Sequence, residues 1–208
     1  MLTKNYFTLA LATLVIVTLF SGCTMRTKPP RFYTLSPVVD EYKSLQVNNS
    51  NTSSLIIGIG PIKIADYLAQ SRIVTRIDDN AINLAEFDQW SGSLQNNIAN
   101  VLSENISSIL GTSKVVIHPW RSFIPIDCQV LLEIVRFDGD PDDKVTLVAS
   151  WVILRDRDKS IVDMNRITIH ENIGVPDYGG LVAAQSKALG QLGVEISQSI
   201  IQHSMKEY

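Results

Sequence analysis

One residue sits where its type and neighbours name a reaction. Cys23 follows the small pair Ser21-Gly22, which closes an apolar run from Tyr6 to Phe20, and Lys4 supplies the only charge before it. A cationic start, an apolar core and small residues before a cut site make a secretory signal. With cysteine at the cut, the pattern is a bacterial lipobox. The thiol is then expected to be diacylated and to become the mature N-terminus. Phe20 stands three places before the cysteine, where Leu is usual, with Leu19 one place further back. An ordinary signal peptide with an incidental cysteine, and an uncleaved anchor helix, are the other readings. The run is short for a membrane span. Thr24 in place of Asp favours the outer membrane by the sorting rule of enteric bacteria. Each buried methylene of an acyl chain contributes about 0.8 kcal/mol, so several chains on Cys23 anchor durably. No other cofactor is expected.

The remaining candidates for chemistry are weaker. Cys128 is the second of two cysteines, so no internal disulfide is expected. It lies in an apolar run and reads as a small buried residue. His118, His170 and His203 are isolated, without the spacing of a zinc site. A site assembled from His170, Glu171 and a distant serine lacks any Gly-x-Ser-x-Gly turn. Asp138-x-Asp140-x-Asp142 starts like a calcium loop, but Asp143 replaces the required glycine and Ala149 the bidentate carboxylate. A solvated hairpin tip accounts for it better. Gly58 and Gly60 have the wrong spacing for a phosphate loop. They suit a bulge or a close backbone approach. Tyr33, Tyr67, Trp90, Trp120 and Trp151 can line a groove for lipid or partner, or can fill a core.

Charge narrows the partners. The chain has 18 basic and 21 acidic residues, and removing the signal takes only Lys4, leaving a net of −4. No basic aromatic patch points to nucleic acid. A mildly acidic surface gives little adhesion to anionic lipid, so the acyl group must supply the membrane contact.

Three segments organise the chain: a signal peptide over 1–22, a lipidated tether over 23–31 that ends in Pro29-Pro30-Arg31, and one domain over 32–208. The fold class is α/β, a single layered domain whose mixed, largely antiparallel sheet is packed by two long helices. Strands are predicted at 32–35, 55–64 and 115–117, with a hairpin over 73–87. A three-stranded meander is predicted over 128–137, 144–154 and 161–169, with apolar residues on both faces of its first two strands. Residues 40–54 read as a flexible loop. Trp90, Leu94, Ile98, Val101, Leu102, Ile106, Ile109 and Leu110 recur at helical spacing, with Asp88 or Ser91 as cap and Gly111 as stop. A second helix runs from about Asp177 to His203, and Gly190 and Gly193 inside it predict close packing or a kink.

Several segments together resemble one family. They are the lipobox, Arg31-Phe-Tyr-Thr-Leu-Ser36, Ile57-Gly-Ile-Gly-Pro-Ile-Lys-Ile-Ala-Asp-Tyr-Leu68, Ile73-Val-Thr-Arg76 and Phe87-Asp-Gln-Trp90 with Leu94 after it. The chain resembles the ABC-type transport auxiliary lipoproteins, the PqiC-like group. The family commonly has Pro where this chain has Ala65, and Asp-Arg where it has Ala69-Gln70.

The resemblance implies a non-enzymatic lipoprotein at the periplasmic face of the outer membrane. Its partner would be an MCE-domain, PqiB-like protein that spans the periplasm and moves lipid between membranes. A homo-oligomeric ring is a further implication. Tyr33, Tyr67, Arg76 and Trp90 lie in the shared segments and are the residues expected to meet a partner. A lipid-binding carrier is the second reading and would need an apolar cavity. A periplasmic hydrolase is the third and would need a clustered acid–base site.

Overall fold

The computed structural model describes residues 28–42, 52, 54–140, 143–155 and 157–204. Cys23, the signal segment and residues 43–51 of the expected loop lie outside the described residues. The chain order is β1 (Arg31–Tyr33), α1 (Val39–Tyr42), β2 (Ile57–Ile64), β3 (Arg72–Arg76), β4 (Ile82–Trp90), α2 (Leu94–Leu110), β5 (Val115–Ile117), β6 (Cys128–Gly139), β7 (Lys144–Arg155), β8 (Ile161–Asn172) and α3 (Tyr178–Ser204). A 3-10 turn over Asp66–Leu68 links β2 to β3.

The α/β class is as the pattern predicts, and the strands divide between two sheets. The larger has the order β5-β2-β6-β7-β8, the smaller β1-β4-β3. In the larger, β5, β2 and β6 are parallel neighbours, and β6, β7 and β8 form the expected antiparallel meander. In the smaller, β1 runs parallel to β4, and β3–β4 is the expected hairpin. Local hydropathy cannot separate the two sheets, because the division depends on which strand each edge finds.

Helices α2 and α3 cover one face of the larger sheet. Ile134, Phe137, Val145, Leu147, Ala149, Trp151 and Ile153 point into that layer and are all at most 3% exposed. They meet Ile98, Leu102, Ile106, Leu189, Leu192 and Ile196 from the helices, in one continuous core. On the opposite face, Leu131, Val148 and Val152 stay half-buried.

Glycine permits two close approaches. A Cβ on Gly58 would stand 2.8 Å from the Trp120 ring, and one on Gly190 would stand 2.5 Å from the Tyr42 ring. A bulge also interrupts the β2–β6 register between Ile59 and Ile62. Close packing thus explains both glycines, as the sequence suggests.

One boundary differs from expectation. The caps Asp88 and Ser91 are not used; Ser93 caps α2, and its hydroxyl accepts from the Asn96 N–H at 3.4 Å. Trp90 ends β4, where its N–H donates to Ser71. Helical spacing extended backward over Trp90 because that ring packs on the same core as Leu94 and Ile98. The far end is as predicted: Gly111 stops α2 at φ 63°, and the Thr112 N–H returns to the Ser107 carbonyl. Asp177 starts α3, with its carboxylate accepting from the Gly180 N–H at 2.7 Å.

Trp90 is 4% exposed, joined to the core. Truncating a buried ring removes its transfer energy and leaves a cavity. Trp90→Ala is expected to destabilise the domain by about 3–5 kcal/mol in chemical denaturation.

Candidate functional site

Three of the four residues expected to meet a partner converge on two buried carboxylates. The first is Asp138, near the end of β6 and fully buried. Its Oδ1 accepts from Arg76 Nε at 2.9 Å and Arg136 Nε at 3.0 Å. Its Oδ2 accepts from Arg76 Nη2 at 2.9 Å and Tyr67 Oη at 2.6 Å. Both oxygens are saturated by donors from β3, β6 and the 3-10 turn. Arg76 reaches further, donating from Nη1 to the Asp79 carbonyl at 3.2 Å. One side chain therefore ties the smaller sheet and its hairpin tip to the larger sheet. Arg76 also lies 5.9 Å from the Tyr67 ring centre.

The electrostatics follow from this crowding. Burial alone would raise the Asp138 carboxyl, but the hydrogen bonds from Arg76, Tyr67 and Arg136 outweigh it and hold the group below its usual range. Burial first, then the bond to Asp138, pushes the Tyr67 hydroxyl up to about 12. The same carboxylate raises the Arg76 guanidinium.

The second node is Asp88 on β4, 3% exposed. Arg31 Nε donates to Oδ1 at 2.8 Å and Nη2 to Oδ2 at 3.0 Å. Tyr33 Oη adds a bond of 2.8 Å to Oδ1. The β1 strand, first in the chain after the tether, is thus held by backbone pairing and by two side chains. Arg31, expected to end the tether, is the first residue of β1. Trp90, the fourth expected contact, lies in the core and offers no surface to a partner.

A site that the pattern missed lies at the other pole. A cleft of about 500 Å³ opens between the starts of β6 and β8, the end of β7 and the end of α3. Ile126, Ile153, Val162 and Ile200 line it, with Arg155, Arg157 and His203 around them. Cys128 is also in its wall, half-buried. Burial pushes that thiol up to about 12, so it is an uncharged wall at neutral pH. These residues come from four elements, and no fixed spacing announces them.

The other candidates settle into structural roles. His170 Nδ1 pairs with Thr146 Oγ1 at 3.1 Å, and Glu171 with Gln191. His203 Nδ1 donates to the Ser199 carbonyl at 2.9 Å. The Asp143 N–H closes a turn on the Asp140 carbonyl at 3.0 Å; Asp142 lies outside the described residues. Among the described residues, no group of three or more His, Cys, Asp or Glu could hold a metal ion. No helix among them is long and apolar enough to cross a membrane.

The fold and these sites define an α/β domain held at its first strand, with a saturated polar clasp joining its two sheets. The chain belongs to the family described as the ABC-type transport auxiliary lipoprotein component, whose family model matches residues 33–197. A crystal structure of a Xanthomonas campestris protein is similar at TM-score 0.68 and 14% identity, covering 85% of this chain and 98% of that one. Another, of a protein described only as uncharacterised, is similar at TM-score 0.67 and 17% identity, covering 83% and 99%. These likenesses establish the shared fold. No curated protein matches the chain.

Two predictions follow from the clasp. Arg76→Ala leaves a buried carboxylate short of two of its donors and is expected to cost about 3 kcal/mol in chemical denaturation. The acid dependence has a definite sign. The Asp138 carboxyl titrates lower in the folded state than in the unfolded one. It therefore contributes stability above its unfolded value of about 3.9, lost as pH falls through the folded value. Melting temperature should drop as pH falls below about 4, and Asp138→Asn should flatten that drop.

Proposed function

We propose that this protein is a non-enzymatic docking subunit of a lipid-transport system, held by acyl chains on Cys23 at the periplasmic face of the outer membrane. The lock on β1 carries the reading. The expected tether leads into a strand whose Arg31 and Tyr33 grip Asp88, so a pull from the anchor meets the folded body at a strand that is held by pairing and by side chains. A domain so held keeps its β1 end within reach of the bilayer, which a docking subunit requires. Family membership supports the transport role, and the lipobox supports the anchor.

The partner in this reading is an MCE-domain, PqiB-like protein, and several copies could encircle its end as a ring. The half-exposed face of the larger sheet, with Leu131, Val148 and Val152, is the broad surface such contacts would use. Tyr33, Tyr67 and Arg76 would serve the partner indirectly, by fixing the shape of the anchored end.

Metabolic labelling with palmitate tests the anchor. The native chain is expected to carry label and Cys23→Ser none. Label on the variant would remove the acyl anchor from the account. Affinity purification from detergent-solubilised envelopes is expected to recover an MCE-domain protein with the native chain. Its consistent absence would remove the docking role.

A further inference from the structure

The face of the larger sheet that the helices leave bare is ordered in rows. Residues directly opposite in adjacent strands share a face, as do residues two apart in one strand. Leu131, Val152 and Met164 stand opposite one another across β6, β7 and β8 and make an apolar row. Glu133, Ser150 and Arg166 make the next row. Their neighbours Leu132, Ile134, Trp151 and Ile153 point the other way and are buried under the helices. The apolar row is least covered at β8, where Met164 is 64% exposed.

The charged row says what fits this face. Ser150 is its neutral centre, with Glu133 one strand to one side and Arg166 one strand to the other. Glu133 keeps half of its side chain exposed while accepting from Lys63 Nζ of β2 at 2.9 Å. Arg166 is exposed on β8, the free edge of the sheet, and forms no ion pair among the described residues. A two-fold axis along β7, between two such faces, exchanges the β6 and β8 columns and keeps each row. Glu133 of either copy then meets Arg166 of the other, and Leu131 meets Met164. Val152 and Ser150 lie on the axis and meet themselves. A two-fold contact must complement itself. This face does so in charge along one row and in polarity along the next, and two sheets packed this way are aligned as in a sandwich.

We propose that two copies of this protein pack face to face through the bare side of the larger sheet, Glu133 of each against Arg166 of the other. The proposal takes the anchor and the choice of face from the docking reading and names a second copy as the occupant. Four strands and seven residues along each cover roughly 400 Å² per copy at standard spacings. That is about half of a standard interface per partner, so the pair is weak in free solution. Chains anchored on one bilayer meet at raised effective concentration, which favours pairing.

The test uses the purified acylated full chain in phosphatidylcholine vesicles with no other protein. Its outcome is therefore separate from recovery of an MCE-domain protein, and palmitate labelling reports the anchor. Ser150 faces its own copy across a sheet spacing of about 10 Å, whereas Lys63 and its copy stand four strand spacings, about 19 Å, apart. A bismaleimide too short for the second distance is added to Ser150→Cys, to Lys63→Cys and to the native chain. A covalent dimer is expected from Ser150→Cys alone. Within that chain, Glu133→Arg or Arg166→Glu is expected to cut the dimer yield about tenfold, since each turns two exposed pairs of opposite charge into like pairs. The two together should restore it. Melting temperatures should stay at the Ser150→Cys value, because these side chains are exposed or half-exposed. No dimer from Ser150→Cys, an equal yield from Lys63→Cys, or a double exchange as weak as the single ones would each overturn the proposal. In whole cells, Ser150→Cys joined only to a different polypeptide would also overturn it and give the face to that partner.

Discussion

A buried aspartate with four hydrogen bonds clasps the two sheets of this molecule together, beside the apolar core that they share. Asp138 belongs to the larger sheet, Arg76 to the smaller, and Tyr67 to the turn between them. A carboxylate taken out of water is costly unless every lone pair finds a donor. Here two guanidinium groups and a phenol supply those donors, two to each oxygen. The smaller sheet has three strands, one of them only three residues long, and needs its apolar face packed on the body to be stable. The clasp gives it a fixed place on the body, and the Arg76 bonds to the β3–β4 turn extend that order to the hairpin tip.

The same device recurs at Asp88 with a different purpose. There it joins the first strand to β4, where the chain enters the domain. The two nodes differ in exposure: the Arg31 side chain is 63% exposed, against 17% for Arg76. Solvent screens the outer pair, so its stabilising effect is smaller and its value lies in geometry. Pairing of β1 with β4 together with Arg31 and Tyr33 makes the entry to the domain stiff.

The long α3 helix runs from the β1 end of the domain to the cleft. Its interior glycines let it lie close to its neighbours: Gly190 admits the Tyr42 ring, and Gly193 faces Asn105. The core between helices and sheet is mainly apolar, and among its buried polar groups Gln185 reaches the Phe137 carbonyl at 3.0 Å. A continuous helix of this length keeps the two ends at a constant separation.

Periodicity alone carried the meander, the β3–β4 hairpin and both long helices, because each is written in local apolar spacing. The lipobox was legible for the same reason: its signal is contiguous. Tyr33, Tyr67 and Arg76 could be singled out by resemblance, yet their carboxylate partners Asp88 and Asp138 are 55 to 71 residues away in sequence. No local pattern pairs them. Trp90 shows the opposite failure: helical spacing claimed a ring that the strand delivers to the core. The cleft was invisible because Ile126, Ile153, Val162 and Ile200 share no period and meet only when four elements end at one pole. Local spacing determined which elements form; the sheet pairings, the buried charges and the cavity were decided by tertiary contact, since each depends on groups that come together only when distant strands are neighbours.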